Sequence, residues 1–316
     1  MIPCDRIPAV RSSGTFLCIA SGAAFGAMAV FGKLAYGDGV TVGTLLAVRF
    51  ALAAALFWAI VIATGAAHEL RTLRPRDIGA GLALGACGYA IQAGCYFAAL
   101  QRIEASLLAI LLYTFPAIVA AAAVALGRER LDARRLTALG LAFGGLVLVV
   151  AGTGMGAVDP VGVALAITAA LVYSTYILVS DTVVGRMRPS MLSALVCSGA
   201  TVSLTIGSTL LGQLRPGDVT PGGWGWLACL SVVSTVGAIS FFFAGLKRVG
   251  PTTASILATV EPLVTVFLAF LVFGETLGPL QLLGGALIVA AVFALNARLP
   301  RRRTATTDAA IARAPA

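Results

Sequence analysis

Two stretches of this chain match each other in one ungapped register, 146 positions apart. The later stretch runs from Phe242 to Glu275, and the earlier one runs from Tyr96 to Glu129. Shared alanine and leucine mean little in so apolar a chain, but rarer residues also coincide: Arg102 with Arg248, Pro116 with Pro262, and Glu129 with Glu275. A fixed-period match of this kind predicts an internal duplication.

The composition indicates the environment in which the duplicated unit folds. Of the 316 residues, 59% are hydrophobic and only 11% are charged, whereas a soluble domain carries about 25% charged residues. The mean hydropathy is +0.99. The apolar runs are long and continuous rather than short and alternating, which excludes a β-barrel and favours membrane-spanning helices. We therefore expect an all-α integral membrane protein with the lipid bilayer as its partner.

The apolar runs predict ten transmembrane helices. The predicted spans are Thr15–Tyr36, Thr41–Ala63, Ile78–Leu100, Ala105–Leu126, Leu136–Gly152, Val161–Ser180, Met191–Leu211, Trp224–Leu246, Thr252–Phe273 and Leu277–Asn296.

The distribution of basic residues predicts the orientation. If both termini are cytoplasmic, 18 of the 22 Lys and Arg residues fall on the inner side, as the positive-inside rule requires. Each copy then has five spans, an odd number, so the second copy enters the membrane inverted. We expect a cytoplasmic N-terminus at 1–14, a first repeat at 15–152, a periplasmic connection at 153–160, a second repeat at 161–298 and a basic cytoplasmic tail at 299–316. Inverted repeats are a common plan of secondary transporters.

Other classes of function lack their residue patterns here. The net charge of +9 is explained by basic loops, so no nucleic-acid partner is expected. Five of the six cysteines lie inside apolar runs, with no CxxC pair, and indicate neither metal sites nor disulfides. No P-loop, HExxH or catalytic constellation occurs. We expect no enzyme activity, no cofactor and no metal.

Several motifs resemble one known family. They are Arg49-Phe50 in the second span, Gln92 with the run from Tyr96 to Leu100 in the third, Tyr113-Thr114-Phe115-Pro116 closing on Gly127-Arg128-Glu129, and Glu261-Pro262 closing on Gly274-Glu275. Together they resemble the EamA-like branch of the drug/metabolite transporter superfamily. The resemblance implies a ten-helix inner-membrane carrier, often an exporter of amino acids or related metabolites. One departure is Arg128, which separates Gly127 from Glu129.

Glu261 and Arg49 are the charged candidates for a substrate site. An intramembrane carboxylate such as Glu261 is costly unless it is paired, protonated or facing water, and we expect Arg49 to be its partner. Glu261 could instead bond a backbone group freed by Pro262. Arg49 could bind a substrate carboxylate, serve as a permanent structural partner, or snorkel to the outer interface.

Neutral candidates complete the predicted cavity. Gln92 and Tyr96 share one helix face with Tyr89, either as hydrogen-bonding groups of a site or as contacts between helices. The remaining candidates, which could alternatively belong to the interfacial aromatic belt, are Tyr113, Tyr173 and Tyr176. Pro116 and Pro262 hold equivalent places in the two copies and are hinge candidates.

Glycines spaced four apart predict close helix packing. The pairs are Gly22/Gly26, Gly81/Gly85 and Gly140/Gly144.

The sequence thus predicts an alternating-access transporter of the inner membrane, with a small-molecule substrate and amino-acid export as its first candidate activity. Its rivals are a membrane scaffold with a dry, packed centre, an open channel, and an intramembrane enzyme using Glu261, which lacks a second catalytic group. A homodimer stays open.

Overall fold

The fold is all-helical in the part of the chain that the structure describes. The computed structural model describes residues 6–127, 132–152, 158–184 and 186–296, and among these no residue lies in a β-strand. The structure does not describe residues 1–5 or the tail from 297. Also outside the described residues are Arg128 and Glu129 of the predicted hairpin motif and most of the predicted 153–160 connection.

Fifteen α-helices are numbered here in chain order. They are α1 Arg6–Gly26, α2 Met28–Gly37, α3 Val42–Ala63, α4 Pro75–Ala83, α5 Ala90–Leu100, α6 Ala105–Leu112, α7 Phe115–Ala125, α8 Ala133–Ala151, α9 Pro160–Val184, α10 Pro189–Leu210, α11 Pro221–Ser231, α12 Ala238–Val249, α13 Pro251–Ala258, α14 Val260–Phe273 and α15 Pro279–Asn296.

Consecutive helices join into spans of membrane length. Within the described ranges, seven helical segments are long and apolar enough to cross a bilayer: Ser12–Gly37, Val42–Ala63, Pro75–Leu100, Ala105–Ala125, Pro160–Ser180, Pro189–Leu210 and Pro221–Val249. Three shorter apolar helices cover Arg135–Ala151, Val260–Phe273 and Pro279–Leu295. The chain is therefore a multi-pass membrane protein.

Proline opens many of these helices. Helices α4, α9, α10, α11, α13 and α15 all begin at a proline. This is the favoured place for proline, because the first residues of a helix have no intrahelical acceptor for their N–H groups. Five of these six helices consequently start one to three residues before the predicted position, as at Pro75 against the predicted Ile78, whereas α15 starts at Pro279, after the predicted Leu277.

The helix packing looks the same when the two halves are exchanged. Helix α5 of the first half packs on α9, the first helix of the second half, and α12 of the second half packs on α1, the first helix of the first half. Likewise α7 packs on α9, and α14 packs on α1. Two pairs, α3 with α10 and α8 with α15, join corresponding helices of the two halves directly.

Each half also contains one π-helical turn in its third span. The turns cover Leu84–Tyr89 and Val232–Gly237. In the 146-residue register Tyr89 corresponds to Thr235, so the two turns nearly coincide. A π turn adds one residue to the helix and is frequent at functional sites.

Glycines allow the closest helix crossings, although not at every predicted pair. A Cβ on Gly26 would lie 2.7 Å from the Glu261 carbonyl oxygen, and one on Gly85 would lie 1.9 Å from the Val196 carbonyl oxygen. The prediction for Gly140 and Gly144 is wrong, because a Cβ at either would meet no atom within 4 Å. The α8–α15 crossing uses Gly145, whose Cβ would lie 2.6 Å from the Gly284 carbonyl oxygen.

Glu275, in the loop between α14 and α15, ties three spans together. Its carboxylate accepts hydrogen bonds from Lys33 Nζ of α2 at 2.5 Å, from the Ala105 and Ser106 backbone N–H groups at 3.2 and 3.0 Å, and from Ser106 Oγ at 2.9 Å. The last three donors belong to the first turn of α6, where the helix dipole also favours a negative charge.

The neighbouring helix positions 144 and 145 test the α8–α15 crossing. We expect Gly145→Ala to destabilise the protein by about 1–3 kcal/mol, because the added methyl group has no room against a backbone oxygen. Gly144→Ala is the matched control and should be neutral or slightly stabilising, since alanine is favoured over glycine within a helix. Thermal unfolding in detergent measures both, and equal effects of the two substitutions would contradict this crossing.

Glu275 gives a second prediction, with a pH dependence. Burial raises the pKa of Glu275, but the hydrogen bond from Lys33 and those from the α6 backbone lower it more, so its pKa lies below the ordinary value. The carboxylate therefore stabilises the fold above the pKa of unfolded glutamate, about 4.3, and this stabilisation is lost as the pH falls toward the folded pKa. Glu275→Gln should cost about 1.5–3 kcal/mol at pH 7, with the loss shrinking below about pH 4.

The exposed pair of Arg102 and Asp159, at 2.8 Å, provides the control for that measurement. Asp159→Asn also removes one carboxylate from an ion pair, but a solvent-exposed pair contributes little to stability. Thermal unfolding across pH should show little change for this variant. A Glu275→Gln variant that behaves like Asp159→Asn at pH 7 would show that Glu275 does not join the three spans.

Candidate functional site

Two broken helices mark the centre of the molecule. Helix α6 ends at Leu112 and α7 begins at Phe115, whereas α13 ends at Ala258 and α14 begins at Val260. Proline has no N–H to donate to the carbonyl four residues earlier. For Pro116 that carbonyl belongs to Leu112 and for Pro262 it belongs to Ala258, which are the last residues of α6 and α13. The two prolines thus explain why both spans break at equivalent positions.

Threonine hydroxyls bond backbone carbonyls close to the breaks. Thr114 Oγ1 donates to the Leu111 carbonyl at 2.8 Å. Thr265 Oγ1 donates to the Gly26 carbonyl of α1 at 2.9 Å and to the Glu261 carbonyl at 3.1 Å. Irregular backbone at membrane depth is tolerated where it is buried in protein or lines a cavity.

A cavity of about 70 Å³ lies beside both breaks. It is bordered by α1 and α2, by α3, by the third span, by the α6–α7 break, and by one residue each of α9 and α14. The lining residues are Phe25, Met28, Arg49, Tyr89, Gln92, Ala93, Tyr96, Phe97, Leu112, Phe115, Tyr173 and Glu261.

The cavity includes five of the seven predicted site residues: Arg49, Gln92, Tyr96, Tyr173 and Glu261. The other two, Tyr113 and Tyr176, stand behind its wall. Tyr113 is 5% exposed, so its ring faces protein rather than lipid. Tyr176 stacks on Tyr173 with 6.2 Å between ring centroids and on Tyr89 with 5.6 Å.

A chain of six aromatic rings forms one side of the site. Neighbouring centroids lie 4.7 to 6.2 Å apart in the order Phe50, Tyr89, Tyr176, Tyr173, Phe115, Tyr113. These distances suit the stacked and edge-to-face contacts that aromatic pairs prefer. Three of these rings, those of Tyr89, Phe115 and Tyr173, line the cavity, so this side of the site is aromatic and carries phenolic hydroxyls.

Arg49 is almost fully buried, with 2% of its surface exposed. Its Nε donates to Thr235 Oγ1 at 2.9 Å, and its guanidinium lies over the rings of Phe50 and Phe97, at 5.1 and 5.3 Å from their centroids. The Arg49 side chain also makes a hydrogen bond with the hydroxyl of Tyr89, which lines the same cavity. The guanidinium is therefore fixed in place beside the cavity, and it has more N–H donors than these two contacts engage.

Glu261 lies in the first turn of α14, immediately after the break, and is half-buried. Negative charge is favoured at a helix N-terminus. The expected ion pair with Arg49 is wrong for this structure, because no such pair is found among the described residues. The alternative bond to a backbone group freed by Pro262 is likewise not formed by the Glu261 carboxyl. The carboxyl therefore remains available to a proton or a ligand.

Gln92 and Tyr96 face the cavity from α5. They are 7% and 4% exposed, and neither side chain hydrogen-bonds to a described residue in this structure. A pure helix-packing role would have paired these polar groups with neighbouring helices. Their arrangement instead leaves an amide and a phenol for a ligand or for water.

Sequence reasoning missed several residues that shape the site. Phe25 and Met28 of the first span line the cavity, but nothing distinguishes them from other apolar residues of that span. Thr235 lies behind Arg49 and was not predicted either. Its correspondence with Tyr89 in the 146-residue register was a signal that could have identified it.

The charged groups of the cavity do not form a metal site. Among the residues that the structure describes, no group of three or more His, Cys, Asp and Glu side chains could hold a metal ion. The arrangement suits reversible binding of a small polar molecule, with a cation and a carboxyl group on separate walls and aromatic rings between them.

Comparison with known proteins places this cavity in a family context. The model of the EamA-like transporter family matches the chain twice, over residues 12–151 and 160–297. An uncharacterized transporter of Archaeoglobus fulgidus is 32% identical over 197 residues, which are 62% of this chain and 69% of the relative. The uncharacterized transporter YcbK of Bacillus subtilis is 26% identical over 86% of this chain and 89% of its own length.

A solved crystal structure has the same fold, with a TM-score of 0.63, 19% identity, and coverage of 90% of this chain and 96% of its own. The two family matches cover most of the 316 residues. They also identify the protein as a transporter rather than an enzyme. The chain therefore belongs to the EamA-like transporter family, the branch of the drug/metabolite transporter superfamily that its motifs resemble.

Proposed function

We propose that this transporter is a secondary carrier that moves a small zwitterionic metabolite, amino acids first among the candidates, by alternating access around the central cavity. The observation behind this proposal is a pair of groups on separate cavity walls. Arg49 and Glu261 both line the cavity, and no ion pair joins them among the described residues. Arg49 suits a substrate carboxylate, and Glu261 suits an ammonium group or a proton.

The architecture supports alternation. We propose ten spans in two inverted repeats, 15–152 and 161–298, with both termini in the cytoplasm and the protein in the inner membrane. The exchange of packing partners between the halves favours a two-fold relation, and the paired breaks before Pro116 and Pro262 offer hinge positions. Export is the direction that the family resemblance favours. A homodimer stays a prediction.

The cavity size supports a conformational cycle. The cavity volume of about 70 Å³ is enough for a few water molecules, because one water molecule needs roughly 10–15 Å³ of cavity volume. Pockets that enclose larger ligands run to roughly 300–1,000 Å³. We propose that the helices around the cavity separate to admit an amino acid, as the helices of a carrier do at each turnover. A membrane scaffold would have a dry, packed centre, whereas this cavity is lined by Arg49 and Glu261.

Transport by the purified protein tests this proposal. Proteoliposomes should take up or release one class of labelled amino acid from a panel, with and without a proton gradient. Uphill movement that follows the gradient supports a proton-coupled carrier, and gradient-independent exchange supports a carrier without that coupling. A protein that binds and moves no member of the panel would contradict the proposed substrate class.

Glu261→Gln tests the role of the carboxyl, since it keeps the size and hydrogen-bonding capacity of the side chain but removes its charge. We expect transport to fall by about ten- to a hundredfold, the range that corresponds to losing a hydrogen bond to a charged group. We also expect the remaining transport to lose its response to a proton gradient.

Initial rates at several pH values measure both effects. Glu104→Gln is the matched control, because Glu104 is exposed in the loop before α6 and its removal should leave the rate unchanged. A Glu261→Gln protein with the rate and pH dependence of the unsubstituted protein would exclude a role for Glu261 in coupling.

A further inference from the structure

Arg49 is held by a residue of the opposite half. Its hydrogen-bond acceptor, Thr235, lies in the π turn Val232–Gly237 that separates α11 from α12. Both residues are buried, with exposed fractions of 2% for Arg49 and 0% for Thr235. A cavity residue of the first repeat is thus oriented from the second.

The Thr235 hydroxyl is fixed as an acceptor toward Arg49. Its own proton is donated to the Leu230 carbonyl at 2.8 Å. A hydroxyl has one proton and two lone pairs, so with the proton engaged its oxygen can only accept from Arg49 Nε. Threonine is also restricted at χ1 by its branched Cβ. The acceptor therefore has one defined direction.

Besides Thr235, the Arg49 guanidinium contacts the hydroxyl of Tyr89 and two aromatic rings. The rings of Phe50 and Phe97 lie near the guanidinium at 5.1 and 5.3 Å, and cation–π attraction toward these rings is weakly directional about the guanidinium axis. Rotation of the Arg49 guanidinium group within its own plane would redirect its terminal nitrogens. The Nε bond to Thr235 opposes this rotation.

We propose that Thr235 is a positioning residue that turns the terminal nitrogens of Arg49 toward the cavity, where they bind the carboxylate of the substrate. This inference rests on the proposed function and adds a specificity determinant to it. Carboxylate recognition by the planar guanidinium fork depends on orientation. Thr235 should thus matter for substrates with a carboxylate and not for analogues without one.

Thr235 corresponds to Tyr89 of the first repeat in the 146-residue register, and Tyr89 lines the cavity. Two positions that are equivalent in the 146-residue register therefore serve the same site in different ways. One contributes a cavity wall directly, while the other acts through Arg49.

Three substitutions separate positioning from general stability. Thr235→Val keeps the shape of the side chain and removes the hydroxyl, and Thr235→Ser restores the hydroxyl. Ser234→Ala is the matched control, because the neighbouring Ser234 hydroxyl is buried in the same π turn and has no hydrogen-bond partner. Should Thr235→Val fail to yield folded protein, Thr235→Ala replaces it.

The assay uses the full chain in proteoliposomes with L-alanine, L-leucine and L-phenylalanine, each labelled, and their unlabelled amides as competitors. We expect Thr235→Val to raise KM for the transported acid about tenfold, as for the loss of one hydrogen-bond contribution, with a smaller change in kcat. Inhibition by the amides should be unchanged. Thr235→Ser and Ser234→Ala should match the unsubstituted protein.

The outcomes distinguish this inference from the proposed function. Thr235→Val with unaltered KM, in a protein that transports the acids, would overturn the positioning role and leave the carrier intact. Equal losses for acids and amides would also overturn it, because they would indicate a structural role alone. An unsubstituted protein that transports none of the three acids would overturn the proposed substrate class and the inference together.

Discussion

Inside a bilayer, a backbone carbonyl that loses its helical N–H donor cannot form a hydrogen bond with water instead. Pro116 and Pro262 each remove one such donor, and the helices break at the residues whose carbonyls are affected, Leu112 and Ala258. The breaks are therefore placed by covalent chemistry rather than by the details of packing. Because the two prolines are equivalent in the duplicated register, the breaks occur in both halves, and the central cavity lies beside them.

Two carboxylates illustrate how the same residue type is used in opposite ways. Glu275 accepts hydrogen bonds from Lys33, Ser106 and the backbone of α6, so its charge is fully satisfied and it holds three spans together. Glu261 begins a helix beside the cavity and has no such partner among the described residues. The satisfied charge of Glu275 stabilises the fold, whereas an unpaired carboxyl group in a membrane is costly, which is why we propose Glu261 as a site residue.

Much of the fold follows from the sequence. The duplicated register, the long apolar runs and the paired prolines predicted the helical membrane architecture and the positions of the breaks. Helix starts were less accurate because the apolar pattern was followed instead of the prolines that open helices, as at Pro75 and Pro221. That signal was present in the sequence.

The site was harder to predict, since hydropathy gives the depth of a residue but not the direction it faces. The direct pairing of Arg49 with Glu261 followed from similar depth, yet Arg49 bonds Thr235 instead. Spacing within one helix was more reliable, since Tyr89, Gln92 and Tyr96, predicted to share one face, all line the cavity. Because hydropathy does not give direction, it also did not show that Gly145 rather than Gly144 lies at the crossing with α15.

The central claim, that one cavity opens alternately to the two sides, is tested most directly by thiol accessibility. In a chain whose native cysteines are replaced by alanine, Gln92→Cys places a thiol at the cavity, and a membrane-impermeant thiosulfonate is applied to either side of sealed vesicles. Glu104→Cys, at an exposed position in the loop before α6, serves as the control that reacts from one side. The account predicts reaction at position 92 from each side, slowed by a transported substrate. Reaction from one side only, or from neither, would contradict it.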